Sequence, residues 1–95
     1  MAFLLTHFWP SGTEAQYRAT LAAVHPADRL PEGQIYHAAG PTDGGFLVTA
    51  VWDTKEHNDR FVSGTLMPAM PVAGGFEGAP EARGAEIVKD RKSVV

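Results

Sequence analysis

Two segments that are apolar on both of their alternating faces constrain the fold more than any other feature of this chain. Residues 2–9 read AFLLTHFW, and residues 46–52 read FLVTAVW. Short runs of this kind, rich in aromatic and β-branched side chains and bounded by Pro and Gly, are typical of strands buried on both faces. The chain therefore needs a sheet with an apolar cover on each side.

Each of these strands is followed by a helical pattern. The apolar residues of TEAQYRATLAAVH recur at spacings of three and four, which predicts a first helix over residues 13–25 with Tyr17 on its inner stripe. Residues 55–67 form a second predicted helix after a cap at Asp53 or Thr54. Its inner stripe is predicted to hold His57 or Asn58, Phe61, Thr65 and Leu66.

Two further strands complete the pattern. The segment QIYHAAG at residues 34–40 alternates as a strand does, and Asp43 and Gly44 predict a tight hairpin that joins it to the second apolar segment. The Gly- and Pro-rich stretch MPAMPVAGGFEGAPEARG predicts a long irregular connection. Residues 85–95 are then predicted to form a final, edge-like strand.

The order strand, helix, strand, strand, helix, strand predicts an α+β domain of the ferredoxin-like split βαβ type (βαββαβ). A single domain would span residues 1–95, with a four-stranded antiparallel sheet and both helices on one face. Because two helices cover only one face of the sheet, the other face must meet something apolar. The simplest candidate is a second copy of the chain, which predicts a homodimer formed through the sheet face.

The composition excludes several function classes. The chain is 44% hydrophobic and 20% charged, as globular domains are, and its net charge is -3 without a basic face for a nucleic acid backbone. The absence of cysteine excludes disulfides, thiolate nucleophiles and cysteine-ligated metal sites. The first apolar segment lacks a basic leader and the length of about 18 apolar residues that a membrane span needs. We therefore expect a cytoplasmic protein without a membrane or nucleic acid partner.

Three stretches resemble a known family. GGFLVTAVWDTKEHNDRF, followed by LMPAM, is similar to the hairpin, third strand and second helix of the antibiotic biosynthesis monooxygenase-like proteins, and THFWPSGTEAQYRATL suits their first strand and helix. The resemblance implies a dimeric α/β barrel with a pocket inside each subunit, between the sheet and the helices. Members include cofactor-free quinol or anthrone monooxygenases, haem-degrading enzymes and polyketide cyclases.

The haem-degrading branch of the family fits this chain poorly. Its members carry an Asn on the first strand, a Trp on the second helix and a His ligand ten residues beyond that Trp. Here the first strand has no Asn, the helix position is Phe61, and Pro71 stands ten residues on. We therefore expect no haem, and we expect no other cofactor.

Two histidines are the candidate catalytic residues. His57 lies about one turn into the second predicted helix, and Phe61 follows at i+4, so both side chains could share the face turned to the sheet. His7 lies on the first strand among apolar neighbours and needs a hydrogen-bond partner. An imidazole with a pKa near about 6.5 is suited to deprotonating a phenol or an anthrone. The alternative for both residues is a structural role.

Aromatic side chains are the candidate ligand-binding residues. We expect His37 to face the subunit interface together with Ile35 and Ala39, so that Tyr36 would face the helices. His25 precedes Pro26 and is assigned no function. The alternative for the tryptophans is that they fill the core. The predicted ligand-binding set is Tyr36, Trp52, Phe61, Trp9 and Tyr17.

The remaining chemistry is limited. The four histidines are not paired at HxxxH or HxH spacing, so we expect no metal site. The leading hypothesis is a cofactor-independent monooxygenase that acts on a small aromatic or quinol-type compound. The alternatives are a non-catalytic binding or stress-associated dimer, a structural dimer whose side chains fill the cavity, and a cyclase or isomerase on the same scaffold. A pocket smaller than about 300 Å³ would favour the filled cavity.

Overall fold

The computed structural model describes residues 1–91 of the chain. Its second helical segment is continuous but changes its winding, since α2 passes into a π-helix and then into the short helix α3. The elements in order are β1 (Phe3–Pro10), α1 (Glu14–Val24), β2 (Gln34–Thr42), β3 (Gly45–Trp52), α2 (Lys55–Phe61), the π-helix (Val62–Leu66), α3 (Met67–Ala69) and β4 (Glu81–Glu86).

The four strands form one antiparallel sheet in the order β2-β3-β1-β4. The two apolar segments of the sequence are the central strands, and their register places His7 opposite Val48 and Trp9 opposite Phe46. Both helices pack on one face, as shown by the stacking of Tyr17 on Phe46 and the contact of Phe61 with Trp52. The predicted ferredoxin-like α+β fold is confirmed.

Side-chain caps explain where the two main helices begin. Thr13 and Gln16 form a capping box, in which the Thr13 hydroxyl accepts from the Gln16 N–H and the Gln16 side chain accepts from the Thr13 N–H. Thr54 caps α2 by accepting from the His57 N–H at 3.2 Å. Each cap satisfies backbone donors that have no partner inside the helix.

The core between helices and sheet consists of two aromatic clusters. Phe3, Ala50 and Trp52 form one cluster, against which Leu5 and Phe61 pack. The other cluster contains Trp9, Phe46 and Phe76, with Tyr17, Val48 and Met70 beside it. Trp9 and Phe76 stack with their ring centroids 4.5 Å apart. Phe76 comes from the Gly- and Pro-rich connection, which therefore supplies a core residue.

The last strand differs from its prediction. It spans Glu81–Glu86 and pairs with β1, whereas the predicted strand began at residue 85 and ran into residues 92–95, which lie outside the described part of the chain. All six residues of β4 are exposed, so no hydrophobic periodicity marks them. A glycine stands inside the strand because a Cβ at Gly84 would lie 2.5 Å from the Phe3 ring.

The second helix also departs from a regular α-helix. Its middle third is a π-helix, which rotates the following residues relative to the predicted stripe. Asn58 and Leu66 are buried, whereas Thr65 is exposed. The alternative between His57 and Asn58 is thereby decided, because Asn58 takes the inward position.

The sheet face opposite the helices carries two apolar rows. One row runs across the strands through Leu4, Val51 and Tyr36, and the other contains Phe8 and Leu47. Tyr36 is 58% exposed and Leu47 is 39% exposed. We call this surface the outer face. Within residues 1–91, no helix has the length and apolar character that crossing a membrane requires.

Candidate functional site

A cavity of about 60 Å³ lies where the two aromatic clusters meet, between the sheet and the helices. Strands β1, β2 and β3 form its floor, and α1, α2 and the π-helix form its roof. The lining contains no Asp, Glu, Lys or Arg, so only protonation of a histidine could give it a charge at neutral pH. The aliphatic part of the lining consists of Leu5, Leu21, Val24, Val48, Ala50, Val62 and Leu66.

The polar part of the lining is centred on His37. The hydroxyl of Tyr17 and Nε2 of His37 share a hydrogen bond of 2.6 Å. The ring of His25 stands edge-on to the ring of His37, with centroids 4.9 Å apart, and it also meets the ring of Phe61. His7 lines the same cavity in edge contact with Trp9. The cavity thus holds three imidazoles and one phenol among apolar walls.

Burial keeps these groups neutral. Loss of hydration lowers the pKa of His7 and of His37, because the imidazolium is the form that needs water. Burial, with the neighbouring His37 as a further cause, lowers the pKa of His25 to about 4. Burial also raises the pKa of Tyr17. At neutral pH the Tyr17–His37 hydrogen bond therefore joins two uncharged groups, and a neutral imidazole can accept a proton.

Three atoms on the cavity lining have unused hydrogen-bonding capacity. Gln34 Oε1, His37 Nδ1 and Trp52 Nε1 are buried and make no hydrogen bond within the described residues. Such atoms are rare in native proteins, and each needs an explanation. Because all three residues line the cavity, they are candidates for holding a polar ligand group.

The structure brings most of the predicted site residues together. His7, Trp9, Tyr17, Trp52 and Phe61 all line the cavity. Two strands, the first helix and the second helix contribute them, as expected for a pocket between the sheet and the helices. Trp9 and Trp52 are 2% and 1% exposed, so their rings are also core residues.

His57 lies elsewhere. Its Nδ1 is 2.6 Å from Asp53 Oδ1, its Nε2 is 3.5 Å from Glu32 Oε1, and it is not among the residues that line the cavity. The hydrogen bond from His57 lowers the pKa of Asp53. The ring borders a surface groove of about 310 Å³, which shares Val24 and Phe61 with the wall of the cavity.

The orientations predicted for His37 and Tyr36 are wrong. His37 faces the helices and lines the cavity, whereas Tyr36 lies on the outer face. The cause is an irregularity in the β2–β3 register between Gln34 and Tyr36, which interrupts the strict alternation on which the prediction relied. Gln34 and His37 consequently point to the same side of the sheet.

Sequence reasoning missed Gln34, His25 and His37 as site residues. His37 was hidden by the register irregularity, and Gln34 is a single strand residue without a motif that would mark it as a site residue. His25 closes α1, and its ring reaches His37 on the neighbouring strand only because of how the helix lies on the sheet. In the described part of the chain, no group of three or more His, Asp or Glu side chains is placed to hold a metal ion.

Comparisons with known proteins give a match among solved structures. No protein-family model matches the sequence, and no curated protein matches it. Among solved structures, the fold matches one described as a "putative Antibiotic biosynthesis monooxygenase" from Chloroflexus aurantiacus J-10-fl, with a TM-score of 0.64 and 20% sequence identity, over 97% of this chain and 98% of that one. The chain has the fold of that protein. The resemblance seen in the sequence is thereby confirmed for the fold.

Within this fold, the composition of the lining limits what the cavity can do chemically. It can bind an uncharged, mostly apolar compound, because no lining carboxylate, lysine or arginine is available to pair with a charged one. It can accept a proton at a neutral histidine. It can also shield a reactive anion from bulk water.

Proposed function

We propose that the chain is a monooxygenase-like enzyme that binds a small aromatic or quinol-type compound in the cavity and oxygenates it without a metal or a flavin. The observation that carries this proposal is the neutral Tyr17–His37 pair inside an apolar cavity without charged walls. The fold shared with a monooxygenase-like protein supports it.

His37 acts as the proton acceptor in this proposal. In the tautomer whose Nε2–H donates to the Tyr17 oxygen, Nδ1 keeps a free lone pair, and Nδ1 has no other partner within the described residues. Proton transfer to Nδ1 leaves an imidazolium that the Tyr17 oxygen stabilises. His7, which also lines the cavity, is the second candidate for this role.

The substrate itself supplies the electrons. Once deprotonated, an electron-rich aromatic anion passes electrons to dioxygen. For an anthrone-like methylene, the net reaction converts CH2 and O2 into C=O and H2O, and the four electrons that reduce O2 come from that carbon. The protein contributes orientation, the proton acceptor and a dry site.

The cavity has to enlarge for such a substrate. Its volume of about 60 Å³ is well below the about 300–1,000 Å³ of typical ligand pockets. Val24 and Phe61 line both this cavity and the surface groove of about 310 Å³. Displacement of the Phe61 ring would join the two spaces. The π-helix that begins at the next residue is the kind of irregular winding found at functional sites.

The same small volume favours a second candidate, a structural dimer whose own aromatic side chains fill the cavity. A binding module or a cyclase on the same scaffold would instead use the enlarged cavity without consuming oxygen. In each case we propose that two copies associate through the outer face, because its apolar rows have no cover in a single chain.

Oxygen uptake by purified variants tests the function. A thermal-shift panel of quinols and anthrones first identifies compounds that bind, since a ligand at about 100 times its dissociation constant adds about 2.7 kcal/mol of stability. With a compound that is turned over, we expect His37→Gln to lower kcat by about 10²–10⁴-fold. His57→Gln should retain turnover. The kcat of His7→Gln, compared with that of His37→Gln, shows which of the two histidines is the main proton acceptor.

The outcomes separate the hypotheses. Full turnover in His37→Gln together with loss in His57→Gln would return the catalytic role to the surface histidine and refute the proposal. Binding without oxygen uptake would favour the binding module or the cyclase. A flat thermal-shift panel would favour the filled cavity.

A further inference from the structure

Two of the buried atoms that lack a partner belong to neighbouring residues on the cavity floor. Gln34 is directly opposite Trp52 in the β2–β3 pairing, and both side chains line the cavity. Residues opposite each other on one face of an antiparallel pair have Cβ atoms about 4.5–5.5 Å apart. The two side chains therefore start from neighbouring positions on the cavity floor.

The two atoms need different hydrogen-bond partners. An indole N–H can only donate a hydrogen bond, and an amide oxygen can only accept one. Trp52 is 1% exposed, and neither atom has a hydrogen-bond partner within the described residues. A group that satisfies both must accept from Trp52 and donate to Gln34. A hydroxyl does both, whereas an ether or a carbonyl only accepts.

We propose that Trp52 and Gln34 form a subsite for a hydroxyl group of the ligand. The hydroxyl oxygen accepts from Trp52 Nε1–H, and its hydrogen is donated to Gln34 Oε1. This inference rests on the proposed function, because it takes the cavity as a ligand site. For the aromatic or quinol-type ligand of that proposal, it selects compounds that carry a free hydroxyl group, such as phenols and enols.

The subsite also orients the ligand. His37 is the next residue of β2 that faces the cavity after Gln34, so a ring anchored by its hydroxyl at the Trp52–Gln34 pair lies beside the proposed proton acceptor. In a quinol-type ligand, a second hydroxyl could then face His37. Trp52 and Gln34 are positioning residues in this arrangement, and they exchange no proton with the substrate.

Phenol, toluene and benzaldehyde form a matched set of probes. Phenol and toluene have nearly the same shape, but only phenol carries a hydroxyl, and benzaldehyde carries an acceptor alone. Binding is measured by NMR titration of the 15N-labelled protein. The indole N–H signal of Trp52 is distinguished from that of Trp9 with a Trp9→Phe variant.

We expect phenol to bind roughly tenfold more tightly than toluene, as two net hydrogen bonds allow. Phenol should also shift the Trp52 indole signal downfield, and benzaldehyde should bind with intermediate affinity. Gln34→Met keeps the side-chain length but removes the acceptor, so the preference for phenol should fall by several-fold. Ile35→Val, at an exposed neighbour on the same strand, should leave the preference unchanged.

Different outcomes would contradict the hydroxyl subsite and the proposed function. Equal affinities for phenol and toluene, or an unchanged preference in a folded Gln34→Met protein, would overturn the hydroxyl subsite and leave the cavity as a ligand site. Preference for benzaldehyde would overturn it as well, because it would mean that the Gln34 amide presents its N–H group. If none of the three compounds perturbs the signals of the cavity residues, the subsite and the proposed function both fail.

Discussion

The ring of His57 lies directly over Gly33, and this contact fixes the loop between α1 and β2 onto the start of α2. A Cβ at position 33 would lie 2.5 Å from Cγ of His57. Gly33 also has a φ of 85°, which residues other than glycine rarely adopt. We expect Gly33→Ala to lower the free energy of unfolding by about 1–3 kcal/mol. Urea denaturation monitored by tryptophan fluorescence would measure the loss.

Gly64→Ala is the matched control for this substitution. Gly64 lies in the π-helix, its φ is not positive, and apart from its chain neighbours and its own helix backbone no atom would lie within 4 Å of a Cβ at this position. The added methyl group should leave stability unchanged or raise it by up to about 1 kcal/mol. Equal stability of both alanine variants would show that the contact between His57 and Gly33 is not a constraint.

The lowered pKa of His25 predicts a loss of folding stability in mild acid. Its pKa is lowered from 6.5 to about 4, so as the pH falls the unfolded chain binds a proton before the folded protein does. Stability is therefore complete above about pH 6.5 and falls between pH 6.5 and about 4. The full linkage would be about 3 kcal/mol, and partial solvent screening reduces the expected loss to roughly 1–2 kcal/mol.

The difference between wild type and His25→Gln isolates this effect, because His7 and His37 also have lowered pKa values and contribute to both curves. Denaturant titrations at a series of pH values should show a smaller loss in the variant between pH 6.5 and 4. Parallel curves for the two proteins would mean that His25 is already hydrated in the folded state.

Individual site residues could be predicted where alternation or helical spacing was regular. Trp52 and His7 follow from the strands, and Tyr17 follows from the first helix, because these elements keep their ideal periods. The orientation of His37 could not be predicted, because one irregular position on β2 places it on the same face as Gln34. Local patterns do not report such register changes, which depend on the partner strand.

At the scale of elements, the capping box makes α1 testable. Thr13 satisfies the N–H of Gln16, and Gln16 satisfies the N–H of Thr13. We expect Thr13→Ala to lower the free energy of unfolding by about 0.5–2 kcal/mol, and we expect Thr13→Ser to retain most of the stability. Chemical denaturation of the two variants checks this, and equal losses for Ala and Ser would rule out a capping contribution.

The elements that sequence reasoning placed wrongly share one physical cause. β4 is exposed at all six positions, and the π-helix is defined by its hydrogen-bonding pattern rather than by residue type. Neither feature produces a periodic apolar signal. The bounds of the two central strands and of α1 were predicted closely, because their inward-facing side chains give a regular apolar pattern in the sequence.

At the scale of the whole molecule, the outer face predicts self-association. Its two apolar rows cross the central strands on either side of Thr6 and Thr49, and Leu47 is an exposed member. We expect a dimer in sedimentation experiments and a shift to monomer in Leu47→Lys, because a buried unpaired charge at an interface is costly. Ala23→Lys, which adds the same charge on the exposed side of α1, should leave the dimer intact.

A monomeric wild-type protein at micromolar concentration would contradict the proposed dimer. Equal behaviour of the two lysine variants would place the interface elsewhere. The fold itself could be predicted from the sequence because the order of elements admits few arrangements, whereas the partner of the outer face could only be inferred from the need to cover it.

Phe61 borders both the cavity and the groove, and this position has a kinetic consequence for the proposed entry route. A ligand that arrives from the groove must wait until the Phe61 ring moves aside. Its observed association rate would then rise with concentration only up to the frequency of that motion and level off above it. Chemically different ligands would share this maximum rate, because the motion of the Phe61 ring sets it.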